Sequence, residues 1–150
     1  MKLGILSMSL GKRHLIFCLR LIIGGLFLYV GLSKISQPYK FAAAIQAYQL
    51  LPQFFVGLAA VLIPWTEAVC GLALLFGRKS RSALLIFMLL LIFFIFIIGL
   101  TMSRGLEIDC GCGLLANRRV GWLVLAEDFT LLMVISWLYF LLLPDLPGLA

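Results

Sequence analysis

Three features of this 150-residue sequence predict an all-α fold, an integral membrane bundle of four helices. Hydrophobic residues make up 64% of the chain and charged residues only 12%. The mean hydropathy is +1.18. Four apolar stretches reach the ~20 residues that a helix needs to cross a bilayer. A soluble domain of this size would lack the polar surface to cover itself. Backbone groups in lipid must be satisfied within each segment, so the stretches are helices and not open strands. A single domain, 1–150, accounts for the chain, with no low-complexity tract or repeat left over.

The first span covers about 14–34 and is interrupted only by Arg20, which is expected to snorkel to the inner surface or to pair within the bundle. Its basic flank, Lys12-Arg13, also suits a signal peptide. The apolar run is longer than such a region, however, and no small-x-small site precedes Lys34, so it is read as a helix. A connector follows, from Pro38-Tyr39-Lys40 to Leu51-Pro52. Within it Phe41, Ala44, Ile45 and Tyr48 recur at helical spacing. This predicts a short amphipathic interfacial helix in the first outer loop, with Tyr39 and Tyr48 at head-group level, serving as a plain connector or as a cover for the bundle mouth. The second span, about 54–77, contains Glu67, with Pro64-Trp65 one turn earlier to kink it and open space. The third, about 83–103, carries no charge. The fourth, about 121–143, contains Glu127 and Asp128.

Basic residues set the orientation. Lys2, Lys12, Arg13, Arg78, Lys79 and Arg81 fall at one end of the spans, and Lys34, Lys40, Arg104, Arg118 and Arg119 at the other. The bias of six against five, together with the two longer loops sharing a side, predicts both termini in the cytoplasm. The net charge of +6 is accounted for by topology and by attraction to anionic head groups; no basic stripe suggests nucleic acid.

The chemistry-bearing motif is Asp109-Cys110-Gly111-Cys112-Gly113, between the third and fourth spans and on the outer face. Glycine's freedom at positive φ helps two thiols one residue apart to close a ring. Such a ring is strained, which makes a disulfide labile and oxidising. An outer location permits that chemistry. Four readings stand: a redox-active pair, a structural staple, a metal site and no role. A staple across so small a loop stabilises little. Zinc or an iron–sulfur cluster needs about four ligands, and neither His14 nor another cysteine is near, so no metal is expected. The redox pair is favoured. Arg104, Arg118 and Arg119 would stabilise a thiolate or anchor to head groups, and Glu107 and Asp109 would oppose the former. Cys18 and Cys70, inside the first two spans, read as small packing residues.

Carboxylates inside a bilayer are costly and therefore candidates for function. Glu127 lies about six residues into its span, roughly 9 Å deep, with Asp128 on another side of the same turn. Lys34 is placed to reach one of them. Glu67 lies roughly 20 Å down its span, at a depth that favours a structural pair with Arg20.

These residues resemble the MauE/DoxX group of redox-associated membrane proteins over roughly 20–132. The resemblance rests on Arg20, Gly24-Gly25, Gly31 and Lys34, on Pro64-Trp65-Thr66-Glu67 and Gly71-Leu72-Ala73-Leu74-Leu75, and most of all on Arg104-Gly105, the cysteine box and Val120-Gly121-Trp122. Two departures stand out. Gly113-Leu114-Leu115 replaces the usual aromatic and glycine after the second cysteine, and Ala126-Glu127-Asp128 replaces an Arg-Asp or Arg-Asn pair. The resemblance implies a four-helix protein of the bacterial inner membrane, linked to maturation of methylamine dehydrogenase. DoxX relatives are linked to quinone-coupled oxidation of sulfur compounds, and the layout is similar to the vitamin K epoxide reductase type of disulfide enzyme.

The expected function is thiol–disulfide exchange by Cys110 and Cys112 with a periplasmic thioredoxin-like partner or a maturing envelope protein. Electrons would pass to or from a quinone in the outer half of the bundle. Arg104 would act on the thiols and Glu127 or Asp128 on protons, with Trp65, Glu67 and Trp122 around the quinone. Interface anchoring competes for Trp122. A non-catalytic scaffold for a maturation or sulfur-oxidation complex is the alternative. A small transporter is a third, with no inverted repeat to support it.

Overall fold

The computed structural model describes residues 10–77, 79–105 and 121–143. These form five helices: α1 (Leu10–Ser36), α2 (Pro38–Ala47), α3 (Gln53–Phe76), α4 (Ser80–Ser103) and α5 (Trp122–Leu142). All but α2 are long and apolar enough to cross a membrane. They match the four expected spans, with α1 starting four residues earlier than expected and α4 three. Their outward faces carry exposed Phe17, Ile22, Leu89, Phe96 and Met133, a surface suited to lipid.

The helices form two pairs, α1 with α3 and α4 with α5. The first pair is closed by glycine. Gly24 and Gly31 lie two turns apart on one face of α1; Pro64, Ala68 and Gly71 share the facing stripe of α3. A Cβ on Gly31 would stand 2.8 Å from the Pro64 oxygen and the Ala68 nitrogen, and one on Gly71 would stand 2.8 Å from the Gly24 oxygen and the Leu28 nitrogen. The two backbones are therefore in contact, as helices in lipid achieve with small residues. Gly25 meets nothing within 4 Å, so only its neighbour contributes to the seam.

This seam fixes the antiparallel register and corrects one expectation. Arg20 does not pair with Glu67. It lies beside the end of α3, where its Nε and Nη2 donate to the Leu74 carbonyl at 3.2 and 3.0 Å. Glu67 is seven residues further along α3, about 10 Å away along the axis. Arg20 thus supplies a donor to a carbonyl in the last turn of a helix, an end that the helix itself cannot satisfy. Gly77 closes the same end at φ +74°, and a Cβ there would run into the Arg20 guanidinium. Arg81 does the equivalent for α5 by donating to the Leu142 carbonyl.

The two pairs close on each other at this basic end. Phe27 of α1 stacks on Phe87 of α4 with centroids 3.8 Å apart and planes 17° from parallel. Leu74, Leu84, Ile135 and Leu138 are fully buried around them. At the other end α1 stops at Ser36, and α3 continues alone. The short helix α2 packs beside that projecting part of α3. The expected helix is present, but its tyrosines part company: Tyr39 is 88% exposed, whereas Tyr48 is buried against Phe94. Cys70 is buried as expected, but Cys18 is exposed.

Replacing Gly71 by alanine is expected to cost about 1–3 kcal/mol, because the atoms it meets are backbone and cannot move aside. Gly25→Ala, in open space, should cost nothing. Thermal unfolding in one detergent compares them directly, and equal midpoints would remove the glycine seam as the source of the register.

Candidate functional site

Between the two pairs, beyond the Phe27–Phe87 stack, the bundle holds a cavity of about 400 Å³. That size lies within the ~300–1,000 Å³ range of small-ligand sites. Side chains from all five helices line it. Phe27 and Leu91 bound it near the stack, and Phe41, Ile45 and Tyr48 bound it on the α2 side. Phe55, Leu58 and Leu62 of α3 and Phe93 of α4 also line it, yet each is about half exposed on the molecular surface. The wall between α3 and α4 is thus at once cavity lining and lipid-facing surface.

Among the described lining residues four are polar: Lys34, Tyr48, Glu67 and Asp128. Lys34 Nζ donates to Glu67 Oε1 at 2.8 Å and to Oε2 at 2.9 Å. Both side chains are buried, at 8% and 10% exposure. The glycine seam produces this pair: Gly31 sits on Ala68, so Lys34, one turn on, faces Glu67. The Lys34 ammonium also lies over the Phe41 ring, 4.8 Å from its centroid, a favourable contact for a desolvated cation. Lys34 was expected to reach Glu127 or Asp128. Its hydrogen bonds go to Glu67 instead, although its charge still acts on Asp128.

Asp128 projects from the second turn of α5 into the cavity wall. Its Oδ2 is buried and has no hydrogen-bond partner among the described residues. Such an acceptor is costly unless something donates to it. Tyr48 lies within its electrostatic reach. The phenol is pushed up from 10.0 to about 12, first by burial and then by the negative charge of Asp128.

The structure thus brings together Glu67 and Asp128 from the expected set and adds Lys34 and Tyr48. Trp65 is 56% exposed and Trp122 78% exposed, and neither lines the cavity. Glu127, next to Asp128, is exposed. Arg104 is exposed at the C-cap of α4, where the connection to α5 begins. Cys110 and Cys112, with Arg118 and Arg119, lie outside the described residues. Lys34 and Tyr48 could have been found from sequence: Lys34 follows Gly31 by one turn, and Tyr48 continues the apolar stripe of α2.

Fold and cavity define a multi-pass helical membrane protein with a charged pair inside an apolar pocket. The family model described as Methylamine utilisation protein MauE matches residues 12–141, and the chain belongs to this MauE family. It is similar to the methylamine utilization protein MauE of Methylophilus methylotrophus, at 35% identity over 54% of this chain and 43% of that protein. It is also similar to the protein of that name from Paracoccus denitrificans, at 27% identity over 77% of this chain and 63% of that protein. The matches thus span less than two thirds of either relative. No solved structure matches the chain.

Two predictions follow from the polar groups. Lys34→Met or Glu67→Leu alone leaves one buried charge without its partner and should destabilise the bundle by about 3–5 kcal/mol. The double variant should recover most of that loss, so a thermal double-mutant cycle in detergent with purely additive effects would show that the pair is not coupled. Tyr48 makes the second. Its folded-state value lies above its ordinary one, so its stabilising effect is complete below about pH 10 and fades as pH rises toward 12. Above about pH 10 the thermal midpoint of the wild type should therefore fall faster than that of Tyr48→Phe. Parallel curves would mean that the phenol titrates like a free one.

Proposed function

We propose that this chain acts in methylamine utilisation as a membrane thiol–disulfide redox protein, coupling Cys110 and Cys112 to a lipid-soluble quinone in the cavity. The observation that carries the reading is the position of the cavity. Ile97 and Asp128 line it, and each lies six residues, about 9 Å, from the helix end where the cysteine-bearing connection starts or finishes. An apolar pocket with a few polar groups, walled on one side by lipid-facing residues, suits a ring-bearing molecule that arrives through the bilayer.

The thiols would exchange with a periplasmic partner by thiolate attack and a mixed disulfide. Closing the Cys110–Cys112 bond releases two electrons and two protons. A quinone takes up two of each to become a hydroquinone, so the two half-reactions balance in either direction. The partner is a thioredoxin-like protein or a maturing envelope protein, and the membrane is the bacterial inner membrane with the cysteines on its periplasmic face. The names of the relatives support the pathway, and the cysteine box supports the chemistry.

The double variant Cys110→Ser/Cys112→Ser is expected to insert normally and to lose all partner oxidation or reduction. The readout is thiol trapping of both proteins with an impermeant maleimide in intact cells. Partner turnover that persists in this variant would replace the redox reading with that of a docking scaffold.

A further inference from the structure

We infer that the cavity holds the reduced, hydroxyl-bearing form of its quinone more tightly than the oxidised form, with Asp128 Oδ2 accepting a hydrogen bond from the ring hydroxyl. The inference rests on the redox reading above and gives it a direction, from the thiols to the quinone.

The argument starts from donors and acceptors. Asp128 Oδ2 is a buried acceptor in the cavity wall that no described group satisfies. Lys34, the cation in that wall, directs hydrogen bonds to both oxygens of Glu67. A ligand that completes the site must therefore bring a donor. The carbonyl oxygens of a quinone offer only lone pairs, whereas a hydroquinone offers two O–H groups. A buried acceptor left without a donor carries its full desolvation cost, so a ligand hydroxyl that satisfies it binds correspondingly better. The remaining wall is apolar and suits the ring and an alkyl tail that leaves between α3 and α4, past Leu58, Leu62 and Phe93.

Preference for one redox form shifts the equilibrium toward it by the ratio of the two affinities. Inside this site the quinone is the better oxidant. As the Cys110–Cys112 bond closes, two electrons and two protons leave the thiols. The two ring carbonyls take them up as hydroxyls, and one of those donates to Asp128. The reverse flow, from hydroquinone to disulfide, would draw electrons from the form the site holds best.

The test is equilibrium binding of decyl-ubiquinone and decyl-ubiquinol, the latter under anaerobic conditions, to the full chain in lipid nanodiscs. Wild type should bind the quinol at least about tenfold more tightly. Asp128→Leu should bring the ratio close to one, and Asp128→Asn, which offers an N–H to a carbonyl, should lower it as well. Thermal unfolding of each variant checks that the bundle is intact. Cys110→Ser/Cys112→Ser should keep the wild-type ratio, since the preference belongs to the cavity. Equal affinities in the wild type, or tighter quinone, would overturn this inference and leave the quinone site standing. A ratio that persists in Asp128→Leu would overturn the role given to Asp128. Binding of neither form would overturn the quinone site itself, and this inference with it.

Discussion

Backbone contact between α1 and α3 governs the rest of the molecule. With glycine at positions 24, 31 and 71, main-chain atoms meet directly, and no sliding is possible without a clash. A helix pair in lipid has no hydrophobic drive toward association, so such packing is what holds it. Every polar placement in the first pair then follows from one register. Arg20 falls at the end of α3 and Lys34 falls opposite Glu67. A shift by one turn would leave both cations without acceptors and Glu67 without a cation.

The same register divides the bundle into two unlike halves. At the basic end the pairs meet through stacked aromatics and fully buried aliphatic side chains, and the guanidinium groups of Arg20 and Arg81 satisfy the terminal carbonyls. At the other end α1 has stopped and α2 occupies its place. The cavity lies at this end, lined by the last turns of α1 as well as by α2, α3, α4 and α5. The fold therefore concentrates rigidity at one end and room for a ligand at the other.

How legible this was in the sequence depended on the range of the interactions. The four spans were plain because hydrophobicity and length are local properties, and the stripe Phe41, Ala44, Ile45, Tyr48 disclosed α2. Ion pairing is a property of register, which composition does not carry. Depth along each span, counted separately, favoured Arg20 for Glu67. That count assumed α1 and α3 to be coextensive, whereas they are staggered. Gly24 and Gly31 held the needed information, but two glycines do not reveal which helix they face. The aromatic candidates failed to join the cavity for a related reason: Trp65 lies in the chain beside residues of the seam, and on a helix the neighbour of an inward residue points elsewhere.

Among the described lining residues one basic and two acidic side chains share an apolar space, and the geometry shows how they are partnered. Lys34 is held by both oxygens of Glu67 and by the face of Phe41, three contacts that fix its ammonium to the α1–α3 side. Asp128 arrives from α5 in the cavity wall and feels the through-space field of Lys34, opposed by that of Glu127, with the Tyr48 phenol also within its electrostatic reach. The paired charges are thus fixed structure, and the Asp128 carboxyl shares the cavity wall with the Tyr48 phenol. A hydrogen-bond donor entering the cavity meets in Asp128 Oδ2 a buried acceptor that no described group satisfies.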